Sequence, residues 1–229
     1  TITFGSGLKT IGQRAFYPGF GDTNQIEELN FNEGLLTIGA EAFERCTNLT
    51  TLNFPDSLVT IGSRAFADTM LGGILRIPQN VSEIGEEAFC SRFYTSIQEI
   101  QVAEQNTNFR VIDHVLYQTG QDGLPERALV YVAGCQASEL QIADGTKVID
   151  RSAFISSLFL TSVILPDSLQ SLNGNTFSYC MRLTNLTIGK GLKDISGTDF
   201  EFSERLENIV VDPENPYIEA VDNVIYAKD

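Results

Sequence analysis

The sequence predicts an α/β solenoid, a right-handed stack of coils of about 23 residues each, with a parallel strand ladder that a β-hairpin module interrupts. The first observation behind this prediction is a six-residue phrase, Ile-Gly-x-x-Ala-Phe, which begins at Ile11, Ile38, Ile61 and Ile84. The second is its fixed period, because the step from Ile38 to Ile61 equals the step from Ile61 to Ile84. The third is a looser version of the phrase with the same step, which begins at Ile149, Leu172 and Ile195. We therefore predict a single solenoid domain over residues 1–229.

The first element of each coil is a short strand in which apolar and polar residues alternate, as in Leu52-Asn53-Phe54. Alternation with a period of two is typical of a half-buried strand. Equivalent strands are predicted around Leu29, Leu75, Ile100, Leu140, Val163, Leu186 and Ile209. Proline, which lacks a backbone donor, ends several of them, at Pro55, Pro78 and Pro166. Successive strands are therefore expected to lie parallel and about 4.8 Å apart.

The phrase itself forms the second element of the coil. Leu58 and Ile61 re-enter the core, and Gly62 is expected to supply a backbone bend that a side chain would hinder. Ala65 and Phe66 are expected on a short helical turn, where alanine allows close approach and phenylalanine fills the space between coils. The predicted interior column consists of Phe16, Phe43, Phe66, Phe89, Phe154, Phe177 and Phe200. Stacking buries this apolar set, which one coil could not do alone, and stabilises it by about 25 cal/mol per Å².

Extra sequence interrupts the period between Ile84 and Ile149, and residues 103–139 are predicted to form a hairpin-bearing insertion. The pattern that runs from Asn106 to Tyr117 recurs from Asn215 to Tyr226 with the same internal spacing. The repetition indicates a module, and residues 212–229 are predicted to be its truncated second copy. His114 corresponds to Asn223 in that copy. Because both residue types accept positive φ in tight turns, we predict φ above zero at His114 rather than a catalytic or metal role.

The combination of Leu-x-x-Leu-x-Leu, proline after the strand and the Ile-Gly-x-x-Ala-Phe phrase is typical of one group of leucine-rich repeats. A small residue also stands three positions after the phenylalanine, at Cys46, Thr69, Cys180 and Ser203. With this addition the chain closely resembles the BspA-like, or Treponema-type, leucine-rich repeat proteins, in which a similar hairpin-bearing unit is known. The coils from Leu172 and Ile195 depart from the pattern and are expected to turn differently. The resemblance implies a non-enzymatic bacterial surface protein that binds host or matrix proteins.

The formal net charge of −15 restricts the partners of the chain. An acidic surface repels phosphate backbones and anionic lipid, so nucleic acid and the membrane surface are excluded as partners. Membrane insertion is not expected either, because no apolar run approaches the length of a membrane span. The chain begins and ends inside repeated units, so an export signal and end caps are expected to lie outside it. The resemblance implies an extracellular or cell-surface location, and no feature of the sequence fixes an oligomeric state.

The sequence lacks the residue clusters that enzymes and metal sites use, so no catalytic residue, cofactor or metal is expected. Any nucleophile–histidine site would have to include His114, the one histidine of the chain. No Cys-x-x-Cys pair favours zinc or redox chemistry. Cys46 and Cys180 stand five coils apart, roughly 24 Å, which is too far for a disulfide, and they are interpreted as small buried residues. A bridge between Cys90 and Cys135 in neighbouring coils remains open.

The candidate binding surface is the row of solvent-facing side chains on the strand ladder, where leucine-rich repeats usually contact their ligands. Its candidate residues are Glu27, Glu28, Asn30, Asn53, Arg76, Glu99 and Gln101. Phe93 and Tyr94 are added as a candidate aromatic anchor, because tight interfaces favour such side chains. Two functions compete. One is protein–protein interaction or adhesion to a host, matrix or envelope protein, and the alternative is a structural spacer or scaffold that presents another domain and has no ligand of its own.

Overall fold

The computed structural model describes residues 1–19, 24–91, 96–132 and 136–228, and it divides the chain into two compact units, Thr1–Val111 and Ile112–Asp229. Each unit is a β-solenoid whose successive coils contribute equivalent strands to parallel ladders. The predicted solenoid fold is therefore confirmed. The organisation of residues 1–229 as a single domain stays a prediction.

In the first unit, the strands that correspond to the predicted row form two parallel sheets, β1-β3-β5 and β7-β9. A further ladder, β2-β4-β6-β8, joins the residues that open each phrase and pairs Ile11 with Ile38 and Ile61 with Ile84. The sequence analysis placed these isoleucines in the core but did not predict that they form a sheet. The strands are β1 (Ile2–Thr3), β2 (Thr10–Ile11), β3 (Glu28–Asn30), β4 (Thr37–Ile38), β5 (Thr51–Asn53), β6 (Thr60–Ile61), β7 (Gly72–Ile77), β8 (Glu83–Ile84), β9 (Ser96–Val102) and β10 (Phe109–Ile112).

The second unit repeats the same plan. Its strands are β11 (Val115–Thr119), β12 (Pro125–Tyr131), β13 (Glu139–Gln141), β14 (Val148–Ile149), β15 (Ser162–Leu165), β16 (Ser171–Leu172), β17 (Asn185–Ile188), β18 (Asn208–Val211), β19 (Ile218–Val221) and β20 (Val224–Ala227). The ladder β13-β15-β17-β18 contains the predicted row, in the register Leu140, Val163, Leu186, Ile209. The second ladder is β12-β14-β16, and β12 also pairs antiparallel with β11, as the predicted returning strand of the hairpin module should.

The predicted helical turn in the phrase is wrong. In the coil that begins at Ile61, the N–H groups of Arg64 and Phe66 donate to carbonyl groups of the next coil, at 2.9 and 2.8 Å. A helix would direct such donors back along its own segment. Arg64 is also left-handed, with φ 56°, and the fourth residue of the phrase repeats this conformation in five further coils: Arg14, Glu41, Glu87, Ser152 and Asn175.

The one helix in the described part of the chain is a 3-10 helix, η1 (Gly197–Phe200), in the coil that begins at Ile195. Ser196 and Asp199 form a capping box at its start. The expectation of a different turn is thus met in this coil. It is met in the coil from Leu172 as well, where Asn175 keeps the left-handed φ of 52° seen in the regular coils but Gly174 before it is also left-handed, with φ 93°.

The expected role of Gly62 also needs correction, because its backbone is not in the left-handed region that favours glycine. A Cβ atom added to Gly62 would lie 2.5 Å from the backbone nitrogen of Ala40 in the preceding coil. The same holds for Gly39 and Gly85, where the nearest backbone nitrogen would be 2.7 and 2.3 Å away. The glycine is therefore required by the close approach of two coils.

Aromatic columns fill the interior of each unit. In the first unit, Phe16, Phe43, Phe66 and Phe89 stack in order with ring centroids 4.9, 5.3 and 5.7 Å apart. A second stack of Phe4, Phe31 and Phe54 packs beside it. In the second unit, Tyr131, Phe154, Phe177 and Phe200 stack at 5.4, 5.0 and 5.5 Å. The predicted phenylalanines therefore stack inside the coils, and Tyr131 is a member that the phrase did not reveal.

The two copies of the hairpin module share the backbone conformation of the turn and the hydrogen bonds of their first asparagine. Asp113 and His114 have φ of 45° and 66°, and Asp222 and Asn223 have 50° and 61°, so the positive φ predicted for His114 is confirmed. Asn215 is fully buried, and its amide donates to the carbonyl groups of Gly189 and Leu192. Its oxygen accepts from the N–H groups of Tyr217 and Ile218, so every hydrogen-bonding position of the amide is used. Asn106 makes the equivalent set of four hydrogen bonds.

Candidate interaction surface

We call the strand face the outward-facing side chains on β1-β3-β5 and β7-β9 of the first unit, together with Glu27 directly before β3, and those on β13-β15-β17-β18 of the second unit. On the first of these sheets, Glu28 and Asn30 are half-buried, whereas Glu27 and Asn53 are exposed. The register places Asn30 beside Asn53. The hydroxyl group of Thr1 donates to a carboxylate oxygen of Glu28 over 2.8 Å. This part of the face is polar and acidic, as the sequence predicted.

The other candidate residues of the first unit lie on β7 and β9. Arg76 pairs in register with Gln101, and both are exposed together with Glu99. The amide of Gln101 donates to the Glu99 carboxylate over 2.8 Å. The face therefore presents a cation next to a hydrogen-bonded acid–amide pair. Phe93 and Tyr94 lie outside the described residues.

On the second unit, the strand face consists of two columns of side chains that follow the register. One is polar and runs through Glu139, Ser162, Asn185 and Asn208, and the other runs through Gln141, Ile164, Thr187 and Val210. Asn208 donates to the side-chain oxygen of Asn185 over 2.9 Å. Ile164 and Val210 are 41% and 57% exposed, so this part of the face also offers apolar side chains to a partner.

The cysteines that the structure describes are packed inside the coils. The Cys46 thiol donates to the carbonyl of Phe16 and the Cys180 thiol to that of Phe154, each in the preceding coil. Burial raises the pKa of both thiols to about 12, so they stay protonated at neutral pH and are poor nucleophiles. Cys90 is buried, and Cys135 lies outside the described residues. In the described ranges, no three His, Cys, Asp or Glu side chains come together as a metal site would require.

In the first unit, the fourth residue of the phrase, which has a left-handed backbone, is alternately basic and acidic. We call these four residues the charge column: Arg14, Glu41, Arg64 and Glu87. Arg14 bonds Glu41 over 2.6 Å, and Arg64 bonds Glu87 over 2.6 Å. Arg64 also reaches Glu44 over 2.7 Å. The hydrogen bond from Arg14 holds the pKa of Glu41 below its ordinary value, against the smaller opposing effect of burial. These ion pairs join neighbouring coils through their side chains.

The sequence matches the family described as BspA type Leucine rich repeat region, in six copies, over residues 9–117 and 131–221. The chain belongs to this family. A comparison with curated proteins found no match. The BspA-type repeats account for the phrase and the ladder, and they indicate a role in protein interaction. Repeats of this family are typically not enzymatic.

Solved structures of other bacterial leucine-rich repeat proteins share the BspA-type fold. The pneumococcal vaccine antigen PcpA aligns with a TM-score of 0.77 and 23% identity over 88% of this chain and 50% of the antigen. A leucine-rich cell surface protein from Faecalibacterium prausnitzii aligns with a TM-score of 0.66 and 21% identity over 91% of this chain and 72% of that protein. This chain thus spans half the length of the pneumococcal antigen. The described residues contain no helix with the length and apolar character of a membrane span.

Proposed function

We propose that this chain is an interaction region of a bacterial protein that is secreted or displayed at the cell surface, and that it adheres to host, matrix or envelope proteins. The proposal takes its support from the family, whose repeats mediate protein interaction, and from a solved relative that is a cell surface protein. The single observation that carries it is the strand face, a regular grid of exposed side chains on rigid strands.

The first unit supplies the side chains that select the partner. Glu27, Glu28 and Glu99 give its strand face a negative character, on a chain whose net charge is −15. Complementary charge favours a partner with a basic patch and accelerates association with it. Asn30, Asn53, Arg76 and Gln101 add hydrogen bonds that fix the orientation of that partner. Phe93 and Tyr94 stay candidates for an aromatic anchor.

Immobilised matrix proteins and bacterial envelope fractions provide the test, with binding of the chain followed by biolayer interferometry. Saturable binding should weaken at least about tenfold in the charge-reversed variant E27K/E28K/E99K. The matched control is E83K, since Glu83 is also exposed but belongs to the second ladder, on β8. Normal binding by the triple variant would exclude the strand face of the first unit as the binding site. Absence of saturable binding to every component would instead favour the spacer function.

A further inference from the structure

A second surface lies on the second unit, where the chain turns before β17 and β18. Here Met181, Arg182, Phe202, Glu204 and Arg205 line a cleft of about 550 Å³. Arg182 and Arg205 are separated by one period of the repeat, so they occupy the same position in adjacent coils. Met181 and Phe202 are 54% and 49% exposed and line the same cleft, so both apolar side chains are open to a partner. The cleft therefore combines an apolar wall with two cations.

The two arginines of the cleft are available to an external anion. In the described ranges, no carboxylate lies within salt-bridge distance of Arg182 or Arg205, whereas Arg64 and Arg127 are paired with acidic side chains. In the coil from Ile38 the residue equivalent to Arg182 is Asn48, whose amide donates to the carbonyl of Asn24. Asn48 therefore bonds to a neighbouring coil, whereas Arg182 and Arg205 are exposed.

The aromatic side chains of this region are held in a backbone conformation that bulky residues rarely adopt. Tyr179 and Phe202 have φ of 60° and 59°, and their rings stack with centroids 4.6 Å apart. Other coils place Arg45, Asp68 and Ser156 at the same position, so the fold does not demand an aromatic ring there. The left-handed φ is thus a property of the repeat, whereas the half-exposed ring of Phe202 is particular to its coil and is open to contact with a partner.

We propose that this cleft binds a short acidic peptide segment of a partner protein, in which one or two carboxylates lie next to a large apolar side chain. Guanidinium groups in adjacent coils can hold a carboxylate by paired, charge-assisted hydrogen bonds. The apolar side chain packs on Phe202 and Met181, whose ring and thioether suit an adaptable apolar contact. Glu204 accepts a hydrogen bond from a backbone N–H of the peptide.

The surrounding charge favours such a peptide over a polyanion. Glu201 and Glu204 are exposed beside the two arginines, and the chain as a whole carries a net charge of −15. A sulfated glycan or a nucleic acid would meet repulsion everywhere except at two cations, and it has no large apolar side chain for Phe202. The proposal does not depend on the strand face, because none of its residues belongs to that surface.

In the experiment, a displayed library of random peptides of about twelve residues is selected for binding to the full chain. We expect the enriched peptides to contain Asp or Glu within two positions of a large apolar residue. A synthetic peptide from the selection should bind at least about tenfold more weakly to R182Q/R205Q and to F202G, and its affinity should fall with added salt. The F202G variant should fold normally, because glycine accepts the left-handed φ without strain.

The matched control is R151Q, because Arg151 is an exposed arginine of the same unit outside the cleft. It should bind the selected peptide normally, as should the strand-face variant E27K/E28K/E99K. The proposal is overturned if the enriched peptides lack the acidic–apolar pairing, or if R182Q/R205Q binds them normally. It is also overturned if heparin oligosaccharides bind the cleft more tightly than the peptides and lose that binding in R182Q/R205Q.

Discussion

At the scale of single residues, the distance between the backbones of adjacent coils decides whether a position can accommodate a side chain. Gly62 and Gly197 both lie inside the stack of coils, yet their surroundings differ. A Cβ atom on Gly62 would enter the backbone of the preceding coil, whereas one on Gly197 would meet nothing within 4 Å. Glycine is therefore structurally required at the first of these positions but not at the second.

We predict that Gly62→Ala lowers the free energy of unfolding by about 3 kcal/mol, because the coils must move apart to admit the methyl group. Gly197→Ala is the matched control, and it should leave stability unchanged or raise it by about 0.5 kcal/mol through the less flexible unfolded chain. Chemical denaturation of both variants measures the difference. Equal effects at the two sites would show that close approach of the coils is not the reason for glycine.

The residues with a left-handed backbone show which conformations can be predicted from the sequence and which cannot. The positive φ of His114 could be predicted, because Asn223 stands at the same place in the module and both residue types favour tight turns. Arg64 and Glu41 are equally left-handed, but arginine and glutamate carry no local signal for this conformation. Hydrogen bonds to the adjacent coil impose it, so the turn that was predicted as helical could not be recognised from the phrase.

At the scale of elements, the charge column links one coil to the next through side chains that do not touch the core. Arg64 is central, since it bonds Glu44 and Glu87, whose side chains are 8% and 12% exposed. Removing the guanidinium would take this ion-pair partner away from two largely buried carboxylates.

The variant Arg64→Gln should therefore lower the free energy of unfolding by about 2 kcal/mol. Lys147→Gln is the matched control, because it removes one partner from the pair of Lys147 with Glu126, in which both side chains are about half exposed. Exposed pairs contribute little, so the control should unfold almost like the natural chain. If the two variants behaved alike in denaturant titrations, the charge column would have no part in joining the coils.

The pH dependence of stability tests the ion pair between Arg14 and Glu41, at the end of the charge column. Because Arg14 lowers the pKa of Glu41 in the folded chain, the unfolded chain binds a proton there more readily. The stabilisation is present above the ordinary glutamate pKa of 4.5 and is lost as the pH falls through the folded value. Arg14→Gln should therefore lose less stability than the natural chain on acidification from about pH 7 to about pH 3. Parallel losses in the two proteins across that range would contradict this assignment.

At the scale of the whole molecule, the spacing of the phrase determined most of what could be predicted. Its constant period places Leu140, Val163, Leu186 and Ile209 in one register, and the structure pairs them so. The arginines of the cleft, Arg182 and Arg205, carried no comparable signal, because this position holds arginine in two coils only and Asn48 in another. The fold follows from the residues that recur in nearly every coil, whereas the proposed cleft uses residues that are particular to two coils.

The net charge of −15 gives the last prediction, which concerns association with the basic partner proposed for the strand face. Long-range attraction raises the association rate and is screened by salt, whereas short-range contacts set the dissociation rate. Raising NaCl from about 0.02 M to about 0.3 M should slow association about tenfold and leave dissociation nearly unchanged. The E27K/E28K/E99K variant should show a shallower salt dependence in the same interferometry experiment. A salt effect confined to dissociation would mean that short-range contacts, and not the acidic character of the chain, guide the encounter.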